Sequence, residues 1–590
     1  CLNFIKPHWA WLSFLARLIL HHIDRALAFL YVWSMPNKNT HYLAPKHLAY
    51  GSLSKFRGLA LVSLAALILA PLVSIVFISF SGHDNMWSEL WAAALPRYLS
   101  NTGFLMLGVA LLSVFLGSAT AWLVTMYRFP GQRFFDFALL FPLAIPAYVS
   151  AYAVVDFFDY AGPIQTILRQ MMGWQSSQDY WFFQTRSRMG AVFVMGMAFY
   201  PYVFLLARAA FREQSASSYE VARALGLGHW RQFWRVGLPL ARPAIVTGLA
   251  LVMMETVADF GTVAHFGVQT LTTGIFNQWL TLGDAAGAAQ IALMMLIVIA
   301  VLTYYENRSR RHARYHRNSR TLKPVEAVGL SGPWALAAFG FCVVPFSFGF
   351  ILPVTVMIFH SLGAPQSWLS LGLFDAILNS FLVASSAAVL TVFGALFLVY
   401  GLRFSAAVLA RTMVPLMGLG YATPGAVLAL GLLIPLAAFD NWVADLIVGT
   451  TGYEPGLLLT GSAGAIILAF VVRFFGVAQG AIDGAFGRIS PSLGMAARSL
   501  GQDSAGALRF VYMPLMRGSV ATAGVLVFVD CVKELPATLL LRPFNFNTLA
   551  TRVYEQASLE HLDTAAPAAL IVMAFGLSAV GLLFRANQSL

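Results

Sequence analysis

Four acidic residues stand where so apolar a chain can least accommodate them. Glu255 and Asp259 fall in one hydrophobic run, and Asp530 and Glu534 fall in another, with the same four-residue spacing. In a helix that spacing sets both members of a pair on one face. A carboxylate in hydrocarbon is costly, so such residues normally face a polar interior or a partner. Two roles follow. The acids line a pathway between two pseudo-symmetric halves and draw in a hard cation suited to oxygen ligands, or they pair with Lys533, Arg473 or Arg542, or cap helix breaks, and so hold the halves together. An enzyme using paired acids is a third reading. It finds no support, because the chain has no HExxH, no Gly-x-Ser-x-Gly and no His clustered with the acids.

Composition dictates the elements that carry these residues. Of 590 residues, 59% are hydrophobic and 11% charged, with a mean hydropathy of +0.73. That leaves too few charges to clothe a soluble globule of this size. The chain reads as an all-α polytopic membrane protein, since helices satisfy their own backbone hydrogen bonds in lipid. About 12 transmembrane helices are expected in two homologous six-helix halves. The first six lie near 58–80, 103–127, 135–157, 189–211, 244–263 and 285–305. The second six lie near 334–359, 378–400, 413–439, 463–481, 520–541 and 566–584. Pro142 and Pro146 in the third, and Pro415 and Pro424 in the ninth, are placed to bend helices around a cavity or to act as hinges. The first domain is expected over 101–306 and the second over 375–584, joined by a basic linker over 307–332. Each is preceded by a span with its outer loop, over 58–100 and 333–374. An extension over 1–57 carries Ser13, Arg17, His21 and Asp24 at steps of three to four, which suits a helix lying in the membrane interface.

Lys and Arg gather in alternate short loops, and the positive-inside rule places those loops in the cytoplasm. Arg128 and Arg133 follow the second span, and Arg223, Arg231, Arg235 and Arg242 follow the fourth. Arg488, Arg498, Arg509 and Arg517 repeat the pattern after the tenth. Neither 267–284 nor 440–461 holds a Lys or Arg, so these loops face outward and both termini face inward. The net charge of +12 therefore reads as topology and contact with anionic lipid headgroups, not as nucleic-acid binding. Asp156 and Asp159, at the outer end of the third span, are placed either to meet a docking protein or simply to solvate a helix end. His229 and His265 stand far apart, and Cys1, Cys342 and Cys531 are isolated, so no stable metal site and no disulfide framework is expected.

Two inward-facing segments repeat one another 275 residues apart. The first runs Glu220-Val221-Ala222-Arg223-Ala224-Leu225-Gly226, and the second runs Met495-Ala496-Ala497-Arg498-Ser499-Leu500-Gly501. In both, thirteen residues separate the Gly from a Pro, Pro239 or Pro514. Repetition at this scale means two copies of one domain. Gly226 and Gly501 permit a sharp turn, and each Pro suits the start of a new helix. The implied shape is short helix, turn, short helix, then the next span. Small residues at Ala222, Ala224, Ala496 and Ala497 would let a partner surface approach closely, while Arg223 and Arg498 reach for carboxylates or carbonyls on it.

These segments resemble the EAA loops of type I ABC-importer permeases. The resemblance covers both halves and implies that fold, with each loop seated in a groove of a cytoplasmic ABC ATPase dimer. On that basis Glu220, Ala222, Arg223, Gly226 and Pro239 form one coupling site; Ala496, Ala497, Arg498, Gly501 and Pro514 form the other, with Met495 in the place of the family's Glu. Fused tandem domains narrow the resemblance. The segments Val257-Ala258-Asp259-Phe260-Gly261 and Lys533-Glu534-Leu535-Pro536-Ala537 look most like the ferric-iron branch. The resemblance then implies Fe3+ delivered by a periplasmic solute-binding protein across a bacterial inner membrane, with thiamine, a polyamine or a phosphonate as alternative cargoes. No GxxxxGK[ST] loop is present, so ATP and Mg are expected on the partner ATPase and no cofactor on this chain, which is read as no enzyme itself. An ion-gradient-driven transporter is the rival from another class; it gives no reason for its loops to repeat Ala-Arg-x-Leu-Gly.

Overall fold

The computed structural model describes residues 53–81, 86–312, 326–404 and 419–588. The interfacial helix expected within 1–57, the middle half of the basic linker, Arg411 and Pro415 lie outside the described residues. Among the described residues, eleven helices are long and apolar enough to cross a membrane, and one bent pair makes a twelfth. In the first half they are Ala60–Ser79, Leu95–Met126, the bent pair, Arg188–Arg212, His229–Ala258 and Ala285–Glu306. In the second half they are Pro333–Gly363, Leu371–Leu402, Gly425–Thr451, Gly464–Gly487, Ser504–Lys533 and Leu562–Leu582. Almost the whole described chain is helical. Among the described residues, strand pairing is confined to a two-residue parallel match of Tyr127–Arg128 with Val328–Gly329, which ties the end of the linker to the loop after the second span.

Three expected spans change shape. The third is not one helix over 135–157: its parts, Gln132–Ala144 and Ala147–Met172, meet at 96°. Pro146 sits at the corner with extended backbone, φ −59° and ψ 139°, and lacks the N–H that would continue the first part. Pro424 opens Gly425–Thr451 in the same conformation, φ −59° and ψ 145°. The fifth and eleventh spans stop at Ala258 and Lys533 and do not run to Val263 and Leu541; short helices Gly261–His265 and Pro536–Leu541 follow each break.

The two halves repeat in atomic detail. Asn101 donates to the Gln269 carbonyl at 2.8 Å, as Asn379 does to that of Asn547 at 3.0 Å. Thr102 and Ser380 hydroxyls accept from the Leu271 and Leu549 N–H groups at 3.1 and 2.7 Å. Capping boxes Thr270/Thr273 and Thr548/Thr551 open the helix that follows in each copy.

Each half also borrows a helix from the other. Leu61, Ile68 and Ile75 of the first span are buried in the core of the second half, with Leu428 and Phe475. Cys342 and Phe346 of the seventh span are buried in that of the first half, with Phe135 and Met195. Lipid is as apolar as the side chains, so close approach and van der Waals contact, more than water exclusion, hold such helices together. A Cβ on Gly117 or Gly248 would come within 2.7 or 2.8 Å of Val203, so this residue of the fourth span sits in a notch between the second and fifth.

Candidate substrate pathway and coupling loops

The breaks in the fifth and eleventh spans place the four acids. Asp259 still donates its N–H to the Glu255 carbonyl at 3.0 Å, but its ψ of 134° turns the chain out of the helix. Its carboxylate then accepts from the Thr262 N–H at 2.9 Å and the Val263 N–H at 3.3 Å, at the start of the next helix. Glu534 does the same in the second half, accepting from Ala537 at 3.1 Å and Thr538 at 3.3 Å. The simple expectation of two acids on one continuous helical face is therefore corrected: one acid of each pair stays on the span, and its partner caps the helix beyond.

All four acids line one cavity of about 120 Å³ together with Tyr148, Arg473 and Lys533. Its walls come from both halves. Arg473 meets Glu534 at 2.8 Å, with only 13% and 3% of the two side chains exposed. Lys533 meets Asp530 at 2.8 Å on the same helix. Gly425 makes room for the buried pair, since a Cβ there would strike both Glu534 and Arg473. Arg542 is not a partner of these acids and pairs with Glu555 instead. The pairing and the cavity-lining roles thus coexist, and four carboxylates against two cations leave an excess of two negative charges when all are ionised. Among the described residues, no three His, Cys, Asp or Glu side chains stand close enough to hold a metal ion. The cavity is a charged lining, not a chelate. Arg473 carries the same sequence signal as the acids, a lone charge in an apolar run, but Tyr148 carries none.

At the inner ends, Ala216–Ala224 and Pro491–Ser499 form short helices capped by Ser215 and Ser490. Gly226 and Gly501 end them at φ +76° and +80°. The next N–H reaches back five residues in each copy, Leu227 to Ala222 and Gln502 to Ala497, both at 3.0 Å. Ala222 and Ala497 are buried, so their small size serves close packing on the permease itself. Glu220, Arg223, Ala224, Ala496 and Arg498 face outward. So do Val221 and Leu225 in one copy and Met495 and Leu500 in the other, and Pro239 and Pro514 lie at the second position of the helices that follow.

Each short helix rests on an aromatic socket, and the sockets are inverted copies. In the first half Tyr219 projects from the coupling helix onto Trp122, which also meets Phe211 and Phe233 at 5.3 and 5.2 Å. The Tyr219 hydroxyl donates to Gln214, which donates in turn to the Gly237 carbonyl at 3.1 Å. A Cβ on Gly237 would run into Trp122. In the second half the bulky and small partners trade places. Gly494 stands on the coupling helix and Tyr512 on the span, packed against Tyr400 and Phe486, and a Cβ on Gly494 would strike the Tyr512 hydroxyl.

At the outer end, Asp156 pairs with His360 of the seventh span at 2.9 Å, and Asp159 pairs with Arg186 at 3.4 Å. Neither is merely a solvated helix end.

Comparison with known proteins agrees with this architecture. Residues 113–312 match the family described as binding-protein-dependent transport system inner membrane component. The Fe(3+)-transport system permease protein FbpB 2 of Haemophilus influenzae is 28% identical over 491 residues, covering 82% of this chain and 89% of that protein. The molybdenum transport system permease protein ModB of Escherichia coli K12 is 26% identical over 197 residues, 32% of this chain and 82% of its own. The sulfate transport system permease protein CysT of the same strain is 26% identical over 210 residues, 35% of this chain and 72% of its own.

Proposed function

We propose that the chain is a fused two-domain membrane permease of the binding-protein-dependent ABC-importer type, resembling the ferric-iron permeases, and that it forms the transmembrane pathway for Fe3+. A solute-binding protein delivers the ion at the outer face, and a separate ATPase dimer grips the two inner coupling loops. Both termini lie in the cytoplasm, and the chain itself binds no cofactor. The cavity between the halves carries the cargo reading. Its excess of two negative charges favours a cation over sulfate or molybdate. The two-half architecture is that of the Fe(3+)-transport relative, whose match spans both halves of this chain.

The coupling reading rests on exposed apolar residues beside each turn. Leu225 is 75% exposed and Leu500 82% exposed, at matching places on loops that need a covering surface. Closure of an ATPase dimer shifts the permease between outward-open and inward-open forms only through contacts that differ between them.

The test is Glu255→Gln combined with Asp530→Asn in the full chain with its ATPase and binding protein. Radiolabelled Fe3+ uptake should fall while ATP hydrolysis persists. Uptake at the unsubstituted rate with normal coupling would refute the pathway role, and uptake that survives ATP depletion would favour a gradient-driven carrier instead.

A further inference from the structure

The helix Ala147–Phe158 starts at Pro146, beside the acid cavity, and climbs to the outer end of the third span. Tyr148, Tyr152 and Asp156 follow one another along one of its faces at steps of four residues, about 6 Å each. Tyr148 lines the cavity with Asp259 and Glu534. It is 4% exposed and Tyr152 is 1% exposed; the Tyr148 phenol oxygen makes no hydrogen bond within the protein, and that of Tyr152 finds only the Ser558 hydroxyl. His265 presses on Tyr152 with ring centres 4.5 Å apart, and its Nε2 is unpartnered. Buried polar atoms are nearly always bonded, and each exception needs a reason. Two exceptions on either side of Tyr152, in a line leading from Asp156 and Asp159 to the cavity acids, share a reason.

We propose that this line is the outer approach to the cavity, and that Tyr148, Tyr152 and His265 are successive ligand positions for a hard cation on its way in. Phenol oxygen and imidazole nitrogen, ending at carboxylates, form a donor set suited to Fe3+. At the inner end the line meets the cavity, where four carboxylates face two cations, a balance that suits a cation better than an anion that the hydroxyls alone would also accept. The inference rests on the permease reading above and adds to it a route and three residues.

The test removes one oxygen atom at a time. Tyr148→Phe and Tyr152→Phe keep the ring and discard the hydroxyl, so a purely structural role predicts unchanged transport. Tyr200→Phe is the control, since that hydroxyl is also buried and unpartnered but stands on Arg188–Arg212, off the helix that carries the line. In the assembled transporter, all three variants should keep the denaturation midpoint. Tyr148→Phe and Tyr152→Phe should lower Fe3+ uptake about tenfold, as loss of one charge-bearing ligand contact implies, while Tyr200→Phe leaves it unchanged. Full uptake by Tyr148→Phe and Tyr152→Phe in a system whose unsubstituted chain moves Fe3+ overturns this inference alone. An unsubstituted chain that moves no Fe3+ overturns the permease reading and this inference with it.

Discussion

The Arg473–Glu534 pair offers a decisive perturbation, because structure and charge make separable demands on it. The two side chains meet at 2.8 Å with almost no solvent contact, and Glu534 also holds the first N–H groups of the helix beyond the break. Arg473→Leu leaves that carboxylate buried without a cation. Removing one partner of such a pair costs about 3–5 kcal/mol. Glu534→Gln keeps an acceptor for Ala537 and Thr538 but strands Arg473, at a cost of the same order. The double variant removes both charges, and a neutral pair of similar volume is often no less stable than the ion pair it replaces. The two substitutions should therefore be strongly non-additive in a double-mutant cycle, the double variant being more stable than either single one. Cavity charge follows the same cycle: Arg473→Leu adds a third excess negative charge, and the double variant returns to two. Denaturation midpoints in detergent and Fe3+ uptake in reconstituted vesicles read the two effects. If the double variant is as unstable as the sum of the singles, mutual neutralisation is not what holds this pair. A double variant that folds but fails to transport would make Arg473 or Glu534 part of the route itself.

Gly425→Ala should imitate the single variants, because its methyl group would wedge the same pair apart; an unaltered melting profile would show that the pair has slack. Gly494→Ala should destabilise the second coupling helix by about 1–3 kcal/mol through overpacking, and Tyr512→Phe, which deletes the atom struck, should recover most of that loss in stability and in ATPase coupling. Gly226→Ala and Gly501→Ala meet no neighbouring atoms, so the cost is the left-handed backbone alone, about 1–2 kcal/mol, read as weaker retention of the ATPase on purification. Cysteines placed at Leu225 and Leu500 should crosslink to that ATPase while cysteines at the buried Ala222 and Ala497 should not; the reverse pattern would invert the exposed face.

Much of this was legible in the chain because it depends on periodicity. Eleven of the expected spans fall on helices of membrane length, and the repeat around Gly226 and Gly501 gives two turns of the same hand. The breaks were not legible at their true positions. A run such as 244–263 is apolar apart from Glu255, Asp259 and three threonines, and hydropathy does not register that a carboxylate can stop one helix by capping the next. Pro146 was named as a bend, yet a 96° corner needs both its missing N–H and packing against the fourth and seventh spans. The exchange of first helices between halves left no local trace. It is a property of tertiary packing, since Leu61 and Cys342 look like any other lipid-compatible residues. The inverted sockets could have been found by setting Tyr219 and Gly237 against Gly494 and Tyr512 at the repeat spacing, a comparison of volumes more than of residue types.

The coupling loops and the acids are ends of the same rods. The fifth span runs unbroken in chain from His229, three residues beyond Gly226, to Ala258 beside Asp259; the eleventh runs from Ser504, three residues beyond Gly501, to Lys533 beside Glu534. Thirty helical residues extend about 45 Å, so each rod reaches from an inner surface to the cavity without a loop that would absorb motion. Each carries a π-turn at the matching place, Phe233–Gly237 and Leu508–Tyr512, directly over its aromatic socket. The chain thus leads from each short helix past a socket and a π-turn to an acid that caps a new helix. The bulky member of the socket is Tyr219 on the short helix in the first half and Tyr512 on the rod in the second, so the two repeats join the same elements through contacts of opposite polarity.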